Sequence, residues 1–324
     1  MKKIITMLLL FCSLCLQAQR RPMLRPDYLK PGDTVALMSP ASTPDAEFVT
    51  AAEDVLHQWG YNTVRCAHVL DSLHGSFAGT VEERKADLLQ ALRDPAVKAI
   101  FCTRGGYGSI QQMQEIPLDT LRRYPKWVIG YSDVTVMHSA WVSAGVMSIH
   151  AHMGEHLMNY GGQDSCSLAL KGMLQGKLPR YVIPSDSLNC PGDATGVLIG
   201  GNLSVLSGFT GSWLDFFQRP EGLILFLEDV GEDFDHVDRY MNLLRLHDCL
   251  KNLRGVVIGQ FNHFKSNGDY PDMNHLFQRY FASMGIPVIY NFPVGHVDEN
   301  YPMMEGATVH LSVNREEALL EFLE

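Results

Sequence analysis

Short apolar runs alternate with segments of helical periodicity, and each apolar run ends in a polar or glycine-rich turn. In the first half, the segments with these patterns are, in order, 35–38 (strand), 44–59 (helix), 62–66 (strand), 81–93 (helix), 99–102 (strand), 127–129 (strand) and 134–143 (helix). Strands separated by helices form mostly parallel sheets, and ligands of such sheets bind at the carboxyl ends of the strands. The pattern therefore predicts an α/β fold with its site at that edge.

The alternation breaks between residues 176 and 194, where prolines, serines and aspartates indicate a connector. A chain of 324 residues also exceeds what one compact core usually organises. We therefore predict two α/β domains. Residues 24–175 would form an N-terminal domain with a parallel, flavodoxin-like or Rossmann-like sheet. Residues 195–324 would form a C-terminal domain with a mixed or barrel-like sheet.

The first residues have the pattern of a secretory signal peptide. Lys2 and Lys3 precede an apolar run at 4–16 that is too short to span a bilayer comfortably. A small residue, Ala18, then precedes a polar stretch. We predict a signal peptide at residues 1–18, cleavage after Ala18, and export across the inner membrane to the periplasm.

Charge and cysteine content exclude some classes of function. The net charge is −10 and no basic stripe is present, which argues against a nucleic-acid partner. Five cysteines follow the predicted signal peptide, and none forms a CxxC pair. An odd, scattered set does not indicate a disulfide framework.

Ser132 lies between a predicted strand and a predicted helix, in a turn opened by Gly130. This arrangement resembles the nucleophile elbow of serine hydrolases, although Val134 replaces the second glycine of G-x-S-x-G. Free backbone N–H groups at the start of a helix can stabilise an oxyanion. Taken alone, the same pattern also fits a serine that caps a helix.

Three further features lie at predicted strand ends. The glycine-rich segment 104–108 could bring backbone donors close to a ligand, or could be a simple tight turn. Glu228 follows a buried strand and could orient a catalytic histidine, form a salt bridge or cap the following helix. His296 follows Gly295 in a loop, where functional residues often lie.

A metal site is a weaker alternative. His150, His152, Glu155 and His156 are close in sequence, but they lack the HExxH spacing of zinc peptidases. We expect no metal and no cofactor. A metal-dependent hydrolase is retained as an alternative that a chelator would inhibit.

Several longer motifs carry a family resemblance. They are, in order, GDTVALMSPAS (32–42), FAGT (77–80), ERKADL (83–88), AIFCTRGGYG (99–108), IGYSDVT (129–135), GGNL (200–203), LEDV (227–230) and GH (295–296) with Asn300. Together they closely resemble the LD-carboxypeptidase family of serine peptidases, the muramoyltetrapeptide carboxypeptidases, in the family's order. Two positions depart from the family's usual motifs: Met304 stands in place of proline, and His150-Ala151-His152-Met153 replaces His-Gly-Pro-Met.

The resemblance implies a two-domain, usually dimeric enzyme with a Ser-Glu-His triad of Ser132, Glu228 and His296. The expected activity is release of terminal D-alanine from peptidoglycan stem tetrapeptides. N–H groups near Gly106 and Asp133 would form the oxyanion hole, and Arg104 would bind the substrate carboxylate. Two alternatives remain open: a related peptidase that acts on another amide, as microcin-detoxifying relatives do, and a non-catalytic periplasmic protein that binds muropeptides.

Overall fold

The computed structural model describes residues 22–265 and 268–323, so the predicted signal peptide lies outside the described residues. The strands are β1 (Thr34–Met38), β2 (Asn62–Arg65), β3 (Val97–Cys102), β4 (Trp127–Gly130), β5 (Ser148–His150), β6 (Arg180–Pro184), β7 (Gly192–Asn202), β8 (Leu223–Val230), β9 (Leu253–Asn262), β10 (Val288–Ile289), β11 (Met303–Glu305), β12 (Thr308–Val313) and β13 (Glu317–Phe322). The helices are α1 (Ala46–Gln58), α2 (Val81–Arg93), α3 (Ser109–Met113), α4 (Leu118–Arg123), α5 (Thr135–Ser143), α6 (Gly154–Tyr160), α7 (Ser165–Leu174), α8 (Leu203–Ser207), α9 (Phe234–Leu246) and α10 (Met273–Phe281). Two 3-10 turns lie at Ser132–Val134 and Phe216–Gln218.

The first sheet has the strand order β11-β5-β4-β3-β1-β2. All neighbours from β2 to β5 pair in parallel, and only β11 pairs antiparallel. The central strands are apolar throughout: Val35 to Met38 are all buried, as expected when helices cover both faces of a parallel sheet. The predicted parallel sheet of the N-terminal domain is confirmed.

The second sheet has the order β10-β9-β8-β7-β12-β13-β6. Strands β7 to β10 pair in parallel, whereas β12, β13 and β6 pair antiparallel. The predicted mixed sheet is therefore confirmed. The connector expected at residues 176–194 contains β6 and the first residues of β7, so the chain there already contributes strands to this sheet. The exact domain boundaries stay a prediction.

Strand β11 belongs to the second half of the chain but pairs with β5 in the first sheet. Met303 lies opposite His150, the last residue of β5, so the loop at residues 295–302 arrives at the carboxyl edge of that sheet. Ser132 follows the carboxyl end of β4, the neighbour of β5. The topology therefore brings the predicted serine and histidine to the same edge.

The interior contains no disulfide among the residues that the structure describes. Cys66, Cys102, Cys166, Cys190 and Cys249 all carry free thiols. Burial raises the pKa of Cys66 to about 12 and that of Cys166 to about 11. Among the described helices, none combines the length and the apolarity needed to cross a bilayer.

Candidate active site

The turn between β4 and α5 holds Ser132 in an unusual backbone conformation. Its φ is 64°, in the left-handed region that residues with a side chain rarely adopt. Gly130 allows the chain to turn tightly, because a Cβ there would lie 3.0 Å from the Cβ of Cys102 and 3.0 Å from a methyl of Val134. Strained residues of this kind cluster at functional sites. The left-handed backbone at Ser132 favours the predicted nucleophile elbow, and the role of the serine stays a prediction.

Glu228 and His296 form a hydrogen-bonded pair at the same edge. The Glu228 side chain is fully buried near the end of β8, and its Oε2 lies 2.8 Å from Nδ1 of His296. Gly295 permits this approach, since a Cβ there would lie 2.8 Å from the Cβ of Glu228. Donation of Nδ1–H to a carboxylate leaves the lone pair on Nε2 of His296. The pair has the arrangement of an oriented general base.

The electrostatics of the pair favour the charged imidazolium. Burial alone would lower the pKa of His296, but the charge of Glu228, its hydrogen bond and the charge of Asp229 together outweigh burial, so the pKa is raised. The neighbouring Asp229 is also buried, and burial beside Glu228 raises its pKa to about 6. Asp229 has a structural role, because its carboxylate accepts hydrogen bonds from Asn202 and from the N–H of Ser204.

Tyr131, the residue before Ser132, packs against His296. The rings of Tyr131 and His296 lie 4.8 Å apart, and Ser132 follows Tyr131 directly. Within the described residues, no hydrogen bond joins Oγ of Ser132 to His296. Catalytic hydrogen bonds of this kind often tighten only when substrate is in place. The structure thus places the predicted serine and histidine on adjoining parts of one edge.

The glycine loop at residues 103–108 lies against the serine. A Cβ on Gly105 would be 3.3 Å from Oγ of Ser132 and 3.4 Å from the backbone N of Asp133. Gly106, with a φ of 98°, instead packs on Ser42, whose Oγ would lie 2.0 Å from an added Cβ. The Asp133 carboxylate accepts a hydrogen bond from the N–H of Ser109 at 2.8 Å, so it fixes the start of α3. Gly105 is a neighbour of the serine that the sequence did not single out.

A cavity of about 400 Å³ opens beside His296. Arg104 lines it with an exposed side chain whose Nη1 donates to the carbonyl of Thr43 at 2.9 Å. Further lining side chains that the site prediction omitted are Glu155, His156, Tyr160 and Asp298. Gly106 and Asp133 line a separate cavity of about 310 Å³ next to α8.

The candidate metal-ligand side chains of residues 150–156 do not converge on one site. His152 stacks on His156 with ring centroids 3.3 Å apart, and burial lowers the pKa of His152 to about 3. His150 instead lies with His138 and Glu305, where one ligand-type atom of each falls within 4.8 Å of the others. Both ring nitrogens of His138 are hydrogen-bonded, to Ser148 and to the carbonyl of Gly130, so His138 is not free to bind a metal as it stands. A second group, His68, Asp71 and Glu83, lies after the carboxyl end of β2.

Comparisons with known proteins identify the family. The LD-carboxypeptidase N-terminal domain profile matches residues 35–151, and the C-terminal domain profile matches residues 195–311. A probable murein peptide carboxypeptidase of Bacillus subtilis is 30% identical over 306 residues, covering 92% of this chain and 94% of the relative. The chain belongs to the LD-carboxypeptidase family. The murein tetrapeptide carboxypeptidase of Pseudomonas aeruginosa is 30% identical over 295 residues, and the match covers 87% of this chain and 94% of that relative.

The fold agrees with this assignment to the LD-carboxypeptidase family. The crystal structure of muramoyltetrapeptide carboxypeptidase from Oxalobacter formigenes superposes with a TM-score of 0.80 at 26% identity, covering 90% of this chain and 99% of that one. Family membership makes the chain a peptidase. Of the predicted site residues, the structure brings Ser132, Glu228 and His296 to one edge with Arg104 beside them. The roles of Gly106 and Asp133 stay predictions.

Proposed function

We propose that this LD-carboxypeptidase is a serine enzyme that releases terminal D-alanine from peptidoglycan stem tetrapeptides. The observation that carries the proposal is the 2.8 Å hydrogen bond from His296 to buried Glu228, next to a serine in a strained strand-to-helix turn. The relatives in Bacillus subtilis and Pseudomonas aeruginosa are named for murein peptides, which supports this substrate class.

The proposed mechanism uses these three side chains. Oγ of Ser132 attacks the carbonyl of the third stem residue while Nε2 of His296 accepts its proton. Glu228 holds the imidazole through Nδ1–H and stabilises the imidazolium. His296 then protonates the leaving amine, so that D-alanine departs and the third residue stays as an ester on Ser132. Water, activated by His296, hydrolyses that ester.

Backbone N–H groups near Gly106 and Asp133 would stabilise the oxyanion. Proximity of Gly105 to both Ser132 and Asp133 supports a hole at this point of the loop. Arg104, which lines the cavity beside His296, would bind the free carboxylate of the leaving D-alanine. The signal peptide predicted at residues 1–18 would deliver the enzyme to the periplasm, and the family resemblance implies a homodimer.

Mass spectrometry of disaccharide tetrapeptide incubated with the purified protein tests the proposal. We expect loss of one alanine with the wild type and none with Ser132→Ala. Loss of alanine with both proteins would refute the role of Ser132. Loss with neither protein would refute the substrate, and tight binding without turnover would instead match a muropeptide-binding protein.

A further inference from the structure

Three buried titratable side chains lie where the two halves of the chain meet beneath the proposed site. His138 is on α5, His150 ends β5, and Glu305 ends β11. All three side chains are 0% exposed, and one ligand-type atom of each lies within 4.8 Å of the others. We refer to His138, His150 and Glu305 as the junction cluster.

Two members of the junction cluster have unused hydrogen-bonding capacity. Oε1 of Glu305 and both ring nitrogens of His150 make no hydrogen bond of normal geometry among the described residues. The buried side chain of Asn300 lies near the His150 ring, raises the His150 pKa through a side-chain hydrogen bond, and can engage one of the two ring nitrogens. The other carboxyl oxygen of Glu305 accepts from the N–H of Gly200 at 3.3 Å. Buried polar atoms are rarely left unpaired, because desolvation without a hydrogen bond is costly. One ligand-type atom of each side chain lies within 4.8 Å of the others, so small side-chain rotations can bring the unpaired atoms to hydrogen-bond distance.

The charges of the junction cluster show which group donates. Burial raises the pKa of Glu305 well above its usual range, because a fully buried carboxylate loses its hydration, and this favours the neutral acid. Burial, and then the neighbouring histidines, lower the pKa of His150 well below its usual range. Burial also lowers the pKa of His138 to about 4. A neutral carboxylic acid that can donate thus faces a neutral imidazole that can accept.

We propose that Glu305 is a positioning residue for the triad, a protonated acid that donates a hydrogen bond to His150. The proposal rests on the function proposed above. The terminal torsion of a glutamate side chain is broad, so a modest rotation of the carboxyl brings its hydroxyl to the imidazole. The bond would tie β11, from the second half of the chain, to β5 in the first sheet by a side-chain contact in addition to their backbone pairing.

Fixing His150 would in turn fix the spacing of the triad. The ring of Tyr131 packs edge-on against His150 at 5.8 Å and also lies 4.8 Å from His296. Ser132 follows Tyr131, so the position of His150 sets where the serine stands relative to the imidazole. Small changes in this spacing lower the rate strongly, because catalysis needs the reacting atoms to be held close and aligned.

Infrared spectroscopy tests the protonation of Glu305 whether or not the protein hydrolyses murein peptides. At about pH 8, Asp229, with a pKa of about 6, is ionised. We expect the wild type to show a carbonyl stretch of a protonated carboxylic acid that Glu305→Gln lacks. Exposed Glu316 provides the control, since Glu316→Gln should keep the band. A wild type without the band, or an unchanged band in Glu305→Gln, would overturn the proposal.

Kinetics test the positioning role in the same proteins. Glutamine can accept from Gly200 and donate to His150, so Glu305→Gln should keep kcat within about threefold, whereas Glu305→Met should lose about tenfold in kcat with little change in KM. Equal loss in both variants, or none in Glu305→Met, would refute the role. Stoichiometric metal in the purified wild type that Glu305→Gln lacks would also refute it, since a metal would then occupy the junction cluster. If the wild type hydrolyses no murein peptide, the proposed function fails while the infrared result still decides the protonation of Glu305.

Discussion

At the scale of single residues, substitutions of Ser132 can distinguish the effect of backbone strain on stability from the effect of the hydroxyl on activity. At a φ of 64°, the left-handed backbone costs free energy for any residue with a side chain. This cost exceeds the additional conformational entropy that glycine loses on folding. Both Ser132→Ala and Ser132→Gly should abolish hydrolysis. We expect Ser132→Gly to be more stable to urea than Ser132→Ala by about 1 kcal/mol. Equal midpoints would show that the turn relaxes without cost.

The Glu228–His296 pair predicts a pH effect of definite sign. The imidazole must be neutral to accept a proton, and its pKa is raised by Glu228. Activity should therefore rise with pH through a value above the ordinary histidine pKa. In Glu228→Gln this rise should move to lower pH, because the attraction for the imidazolium is gone. Profiles of kcat/KM against pH measure the shift, and an unmoved or upward-moved limb would contradict the assignment of His296 as base.

Glu228→Gln should also lower the maximal rate and alter how the free energy of unfolding depends on pH. Loss of the orienting carboxylate costs about 10⁴ in kcat in triads of this design. A histidine with a raised folded pKa adds stability that is present below the unfolded pKa and lost as pH rises through the folded value. The stability advantage of the wild type from this pair should accordingly shrink as the solution is made alkaline.

At the scale of elements, the loop between β3 and α3 must lie flat against the serine. An added methyl on Gly105 would sit 3.1 Å from Cβ and 3.3 Å from Oγ of Ser132. We expect Gly105→Ala to lower kcat about 10²-fold or more, as when one oxyanion donor is displaced. Gly172→Ala, in α7 with its nearest contact at 3.6 Å, is the matched control and should keep full activity. A fully active Gly105→Ala would place the oxyanion hole elsewhere.

The length and the apolar character of a strand both affected whether the sequence could predict it. Strands such as β3 and β8 are long apolar runs that end in motif residues, so their positions and the site residues after them were predictable. Strands β5 (Ser-Ile-His) and β11 (Met-Met-Glu) have three residues each, and in both a polar residue interrupts an already short apolar segment. Strand β6 ends in Pro184 and lies in a segment that was interpreted as a connector.

The parts of the site that the sequence missed depend on contacts between distant residues. Nothing in the spacing links Glu305 to His150, because their proximity follows from β11 pairing with β5 across the two halves. The same holds for Tyr160 and Asp298, which share one cavity wall. Ser132, Glu228 and His296 were recognised through the motifs around them, and their individual patterns also allowed structural roles.

At the scale of the whole molecule, the second half of the chain supplies a strand to the first sheet, and the connector supplies one to the second sheet. Strand β11 completes the first sheet, whereas β6 pairs with β13 at the edge of the second. The triad is divided in the same way, since Ser132 precedes β6 and both Glu228 and His296 follow it. Neither half should therefore hydrolyse substrate alone, but the halves should hold together once formed.

A protease site inserted after the exposed Ser187, between β6 and β7, tests whether the halves stay together after cleavage and whether each half is inactive alone. After complete cleavage the two pieces should elute together and keep most of the activity, because the exchanged strands and the shared core remain. Pieces separated in denaturant should be inactive singly and should regain activity when refolded as a mixture. Hydrolysis by the isolated N-terminal piece would show that Ser132 acts without Glu228 and His296. Dissociation on cleavage would show that the exchanged strands contribute too little to hold the site together.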